Sequence, residues 1–294
     1  MKIARMLVAA SVGALALAPV VPAHAANPPC GVPLGFISAG GDTGGQITYS
    51  TKPMSARPRV VQATGLYADG AVRLAGTAVN DFYGPKGSRV SQYVIQGDSM
   101  YLGKFDLGVD NTSPTVTKVG SGWAPYTAFE TTRYFGGATP RTMQYALRND
   151  GTLWRWTMKG TVWTNRQSAP GFAAVKAIAL ISQTATYETF LATTRGGALY
   201  TIHIPTTATL KPVVRKVRAS TWQAFDFLAA NGCGRQGTLL VAIDKDTQSA
   251  YLYAIGHATG ATTPIQNLGK IPKTYADPVY YHWTGIPAAI PFGE

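Results

Sequence analysis

The chain has 294 residues, with 32 Gly, 19 Pro and only 14% charged residues, a turn-rich composition that excludes a helical bundle and suits one large β domain or two small ones. Its net charge of +12 is compatible with polyanionic partners such as cell-wall polymers or acidic polysaccharide, and equally with an exported β protein that carries scattered Lys and Arg. The one basic cluster, 211–218 (KPVVRKVR), forms no clean stripe, so no nucleic-acid partner is expected.

Taken in chain order, the first element is a leader. Lys2 and Arg5 precede the apolar run 6–21 (MLVAASVGALALAPVV), and Ala23 and Ala25 then stand in a small-x-small arrangement. This pattern predicts a signal peptide over 1–25, cleaved after Ala25. The run is shorter than the roughly 20 residues a spanning helix needs, and Pro19 and Pro22 interrupt its end. The expected product, 26–294, is a single soluble, secreted, monomeric domain with no membrane attachment.

From there a pattern recurs: a short strand, a polar turn rich in Gly and Asp, then a second strand that opens with an aromatic. The copies are LGFISAGGDTGGQITYS with Tyr49, SQYVIQGDSMYLGKF with Tyr101, MQYALRNDGTLWRW with Trp154, ETFLATTRGGALYTIHI with Tyr200 and TLLVAIDKDTQSAYLYAI with Tyr251. Asp150-Gly151 and Gly196-Gly197 suit tight hairpins, which need residues tolerant of positive φ. After the third turn, Trp154 and Trp156 share one strand face and Arg155 and Thr157 the other. The segment 172–181 (FAAVKAIALI) reads as a helix or as a buried strand.

A second marker falls between the hairpins. Gly122-Trp123, Gly171-Phe172, Thr221-Trp222 and Thr274-Tyr275 recur at the same period, and Gly65-Leu66-Tyr67 reads as a degraded first copy. Five repeats of about 50 residues, each with several strands, predict an all-β fold, a five-bladed β-propeller. A β-trefoil has three repeats, and a sandwich needs no such period. Cys30 lies just before the first hairpin and Cys233 just before the fifth. In a closed ring those repeats are neighbours, so a Cys30–Cys233 disulfide is expected at the seam, in a compartment where disulfides persist.

GSGW at 120–123 and NDGTLWRW at 149–156 resemble the tachylectin-like β-propeller family, whose repeats pair a G-x-G-W segment with a D-G-x-L-Y hairpin. The other four repeats match in period and aromatic placement only. Asp69-Gly70 looks like the same turn, out of register. The resemblance implies a five-bladed ring that binds N-acetylated sugars at shallow sites. Of the family's polar loop residues only Asn149 and Asp150 are recognisable.

The chemistry-bearing residues point the same way. His203, His257 and His282 show no metal-ligand spacing, no G-x-S-x-G is present, and GGDTGG at 40–45 reads as a turn. No metal, cofactor or catalytic residue is assigned. Asp42, Asp98, Asp150, Asp244 and Asp246 lie near turns, where Asp is common, and Asp42 with Glu188 is the pair a glycoside hydrolase reading would use. Trp123 and Trp222 can stack on a sugar ring or wedge between blades. Trp163, with Asn165 and Arg166, lies outside the repeat marks and is expected at the surface. The reading is a secreted, non-enzymatic binding module for carbohydrate or a surface glycan, an anionic one included. The alternatives are a propeller hydrolase and a ligand-free interaction scaffold.

Overall fold

A computed structural model describes residues 30–108, 113–137, 140–207, 209–284 and 291–294; the predicted leader 1–25 lies outside them. Hairpin follows hairpin, and each group of antiparallel strands closes into a separate sheet. Five sheets result, arranged as a five-bladed β-propeller.

Blade 1 holds β1 (Gly31–Ile37), β2 (Thr43–Tyr49), β3 (Ser55–Ala56) and β4 (Val60–Ala63). Blade 2 holds β5 (Val72–Ala75), β6 (Val79–Phe82), β7 (Gly87–Gln96), β8 (Ser99–Gly108) and β9 (Thr115–Ser121). Blade 3 is β10 (Tyr126–Tyr134), β11 (Arg141–Arg148), β12 (Leu153–Lys159) and β13 (Val162–Ala169). Blade 4 is β14 (Val175–Gln183), β15 (Tyr187–Thr194), β16 (Leu199–Pro205) and β17 (Val213–Arg218). Blade 5 is β18 (Phe227–Cys233), β19 (Gly237–Asp244), β20 (Ser249–Ile255) and β21 (Ile265–Lys270). The last strand, β22 (Val279–His282), returns to pair with β1. The last strand and the first therefore share blade 1, which closes the ring. The segment 172–181 takes the strand alternative: β14 alternates buried and half-buried residues along its first half.

The second marker explains what holds the blades together. Tyr67, Trp123, Phe172, Trp222 and Tyr275 each donate a backbone N–H to the preceding hairpin turn, at Gly41, Asp98, Gly151, Gly197 and Gln248 respectively. All five rings are buried. Each belongs to a different apolar cluster, one per blade junction. The core is thus five inter-blade layers rather than one centre, as expected when each blade can bury its faces only against neighbours.

The hairpin marker holds in four blades and shifts in the first. Tyr101, Trp154, Tyr200 and Tyr251 occupy equivalent places, opposite Val94, Ala146, Ala192 and Ala242. In blade 1 that place belongs to Gly44, opposite Phe36, while Tyr49 sits at the far end of β2. A Cβ on Gly44 would stand 2.0 Å from the Val60 carbonyl oxygen. The close approach of β4 therefore removes the aromatic from this one blade. Asp69-Gly70 is a turn in the linker after blade 1, where Gly70 donates to the Ala39 carbonyl.

Cys30 and Cys233 form a disulfide with a Cα–Cα distance of 5.5 Å. It ties the residue preceding β1 to the end of β18, joining blades 1 and 5. Among the described residues no helix is long and apolar enough to cross a membrane.

Candidate functional site

Between blades 2 and 3 the junction opens into a cavity of about 440 Å³. Its walls come from the end of β9, the linker through Trp123, and the outer strands of blade 3. Trp123, Trp156 and Tyr126 form its floor: the Trp123 ring centroid lies 5.5 Å from that of Trp156 and 4.9 Å from that of Tyr126. Trp154 stacks beside Trp156 at 5.9 Å with 18° between planes. Trp163 closes one side, 6.1 Å from Trp123. Gly120 lies beside these rings: a Cβ there would make ordinary contact, 3.5 Å from the Trp123 indole nitrogen.

Strand parity alone would send Trp163 and Arg166 to opposite faces, because they stand three positions apart. The ladder between β12 and β13 corrects this. Thr157 pairs with Thr164 and Arg155 with Gln167, so one extra residue is accommodated opposite Trp156. Asn165 takes φ of +50° within that bulge. Parity resets, and Trp163 and Arg166 line the same cavity.

The polar groups are unequally engaged. Trp163 donates its indole N–H to buried Gln144, which fixes the ring. The indole nitrogen of Trp154 and the Nε of Arg148 are buried and have no hydrogen-bond partner among the described residues. The Arg166 guanidinium lies 4.2 Å from the Trp154 ring centroid, a cation–π arrangement. Arg148 Nη1 is 3.6 Å from Asp150 Oδ2. Asp150 also accepts the Thr152 N–H through Oδ1, which holds its carboxyl below the ordinary value. Burial raises the Tyr126 phenol, against the nearby charges of Arg148 and Arg166.

Of the residues singled out from sequence, Trp123, Trp163 and Arg166 line this cavity. Asp150 pairs with Arg148 on its rim. Asn149 is exposed and donates its N–H to the Pro125 carbonyl, and Asn165 supplies the bulge. Trp222 lies elsewhere, 5% exposed, in the layer between blades 4 and 5. Sequence reading missed Tyr126, Arg148 and Arg73. Arg73 donates to the carbonyls of Gly97, Trp123 and Tyr126 and so fixes the linker under the cavity.

The carboxylates raised for hydrolysis have structural partners. Asp42 accepts the Gly65 N–H, and Asp98 accepts those of Gly122 and Ala124. Glu188 is wholly buried, bonded to Thr132, Gln183 and Arg141. A central cavity of about 80 Å³ touches Glu130 and Asp226, too small for a sugar ring. There Asp226 pairs with Lys176 at 2.8 Å. His203 is half-buried and sits 2.6 Å from the Glu294 carboxylate. Among the described residues no group of three or more His, Cys, Asp or Glu could hold a metal.

No family model and no curated protein matches the chain. Among solved structures it is similar to BP39L lectin from Burkholderia pseudomallei (15% identity, TM-score 0.46), with 81% of this chain and 65% of that one covered. It is also similar to AofleA from Arthrobotrys oligospora (11% identity, TM-score 0.41, 88% and 90% covered). A third is the WD40 domain of SCAP from fission yeast (10% identity, TM-score 0.36, 79% and 57% covered).

Proposed function

We propose that this protein is a secreted, non-enzymatic carbohydrate-binding module whose ligand sits in the cavity between blades 2 and 3. The observation that carries this reading is the cavity wall: four Trp and one Tyr around an open space of about 440 Å³. Pyranose rings present flat C–H faces that pack on aromatic surfaces, while their hydroxyls take hydrogen bonds from groups such as indole N–H and guanidinium. The size falls within the range of small-ligand sites. Of the residues that line the cavity none is Asp or Glu, and hydrolysis at this site would need a pair of them. The disulfide is consistent with export through the leader at 1–25 into an oxidising compartment.

A glycan array probed with the chain 26–294 tests the proposal. Retention on a defined set of glycans, lost in the Trp154→Ala variant, is the expected result. Silence across N-acetylated, neutral and acidic glycans overturns it.

A further inference from the structure

Resting on the carbohydrate reading, we infer that the sugar taken by the blade 2–3 cavity carries a carboxylate. The cavity is lined by two guanidiniums, Arg148 and Arg166, and by no acid. Their availability matters more than their number. Arg166 makes no hydrogen bond or ion pair with the described residues; its stack on Trp154 at 4.2 Å is what positions it. Stacking through the face of a guanidinium leaves its N–H edge free for a planar carboxylate. Arg148 buries its Nε, which has no partner among the described residues, and exposes the rest of its side chain to 36%. Its contact with Asp150 is long, at 3.6 Å, between side chains 36% and 47% exposed, the kind of surface pair that contributes little.

Of the nearest acids, Asp150 stays ionised and faces Arg148, and among the described residues none pairs with Arg166. Asp150 is held by the Thr152 N–H. Asp98, under Gly122, accepts two backbone N–H groups and lies near Lys118. Arg148 and Arg166 line the cavity together with Tyr126, whose phenol also feels the charge of Asp150.

The junction between blades 4 and 5 serves as an internal control. It has the same aromatic plan: Trp222 lies 4.8 Å from Tyr253 and 5.4 Å from Phe225. Its cation is Arg218, which donates to the Val217 carbonyl at 2.7 Å and to the Thr263 carbonyl at 2.8 Å. There the guanidinium is a structural tie across the blades. At the blade 2–3 junction the place of Arg218, opposite Leu199, is taken by Gly120, opposite Met100, so no such tie is made there; the cations come instead from β11 and β13 of blade 3 and line the cavity. A polynucleotide would also meet aromatics and cations, but it calls for a groove that follows the backbone, whereas this cavity is bounded by two blades.

The test uses immobilised glycan pairs that differ only at the carboxyl: galacturonate, glucuronate and N-acetylneuraminate, each beside its methyl ester. The mature chain should be retained at least about tenfold more strongly by the acid of one pair, the scale of one charge-assisted hydrogen bond. Arg166→Gln should lower retention of the acid by more than it lowers retention of the ester, and raised salt should act in the same direction. Equal retention of acid and ester in every pair, or binding to neutral glycans alone, overturns the carboxylate and leaves the carbohydrate reading standing. Tighter retention by single-stranded DNA than by any acid overturns it too. No retention by any glycan, in these pairs or on the array, overturns both.

Discussion

Arg73 of blade 2 donates to the carbonyl of Tyr126, the first residue of blade 3, at 2.6 Å. The same side chain reaches the carbonyls of Gly97 and Trp123, so one guanidinium holds the linker that forms the cavity floor. Arg73→Met keeps much of the stem and removes these bonds. It should cost about 1–3 kcal/mol, the range for lost bonds to a charged donor. It should also weaken glycan binding, because Trp123 and Tyr126 lose their anchor. Thermal unfolding and titration of the same variant check both; a variant with unchanged affinity contradicts the positioning role.

Trp222 tests the division between wedge and wall. It lies in the blade 4–5 layer, away from the cavity. Trp222→Ala should destabilise by about 3–5 kcal/mol and leave affinity intact wherever the variant is folded. Denaturant unfolding measures the first and calorimetric titration the second. A Trp222→Ala variant of full stability with lost binding would move the site to the other junction.

Two buried groups predict opposed pH effects. Burial pushes the Glu130 carboxyl up to about 7 from a reference near 4.5, although Thr77 and Thr131 donate to it. Between those values the unfolded chain releases a proton that the folded state keeps, so this group lowers stability as pH rises. Burial lowers His282 to about 4 from 6.5. Between those values the unfolded imidazole takes a proton that the folded one refuses, so this group lowers stability as pH falls. The two slopes oppose each other across the shared window. Glu130→Gln removes the first. It should stabilise the protein above pH 7, on the order of 1–3 kcal/mol, and leave a steeper loss on acidification from 6.5 toward 4. An unchanged profile of melting temperature against pH would refute this account.

The Cys30–Cys233 disulfide closes a sequence separation of 203 residues. Chain-entropy reasoning gives it up to about 5 kcal/mol. The Cys30→Ser, Cys233→Ser double variant should still fold, because β22 pairs with β1 in the same blade, but with a lower unfolding midpoint in denaturant. Equal midpoints would show that strand closure alone sets the ring's stability.

Much of this architecture was legible in the sequence because a ring of blades repeats its demands. Every junction needs an aromatic wedge, so Trp123, Phe172, Trp222 and Tyr275 recur at one period, and the altered copy at Tyr67 occupies the same position. The marker failed at Tyr49 for a spatial reason: β4 approaches Gly44 too closely for any side chain, which no local pattern announces. The cavity was only half visible. Trp163 and Arg166 stood out by lying off the repeat, but the bulge at Asn165 that brings them to one face contains no Gly to mark it. Arg73 was hidden because its acceptors lie up to 53 positions away in the chain.

The most direct test of the central claim, one glycan site walled by the Trp cluster of blades 2 and 3, is a titration of intrinsic tryptophan fluorescence. It would compare the chain 26–294 and its Trp154→Ala variant, using the glycan the array retains best. Five of the chain's six Trp (Trp123, Trp154, Trp156, Trp163 and Trp222) lie at the two junctions compared above, four of them around the cavity. The account predicts saturable quenching with one site per chain in the native protein and none in the variant. Quenching that persists in Trp154→Ala, or saturation at several equivalent sites, would contradict it.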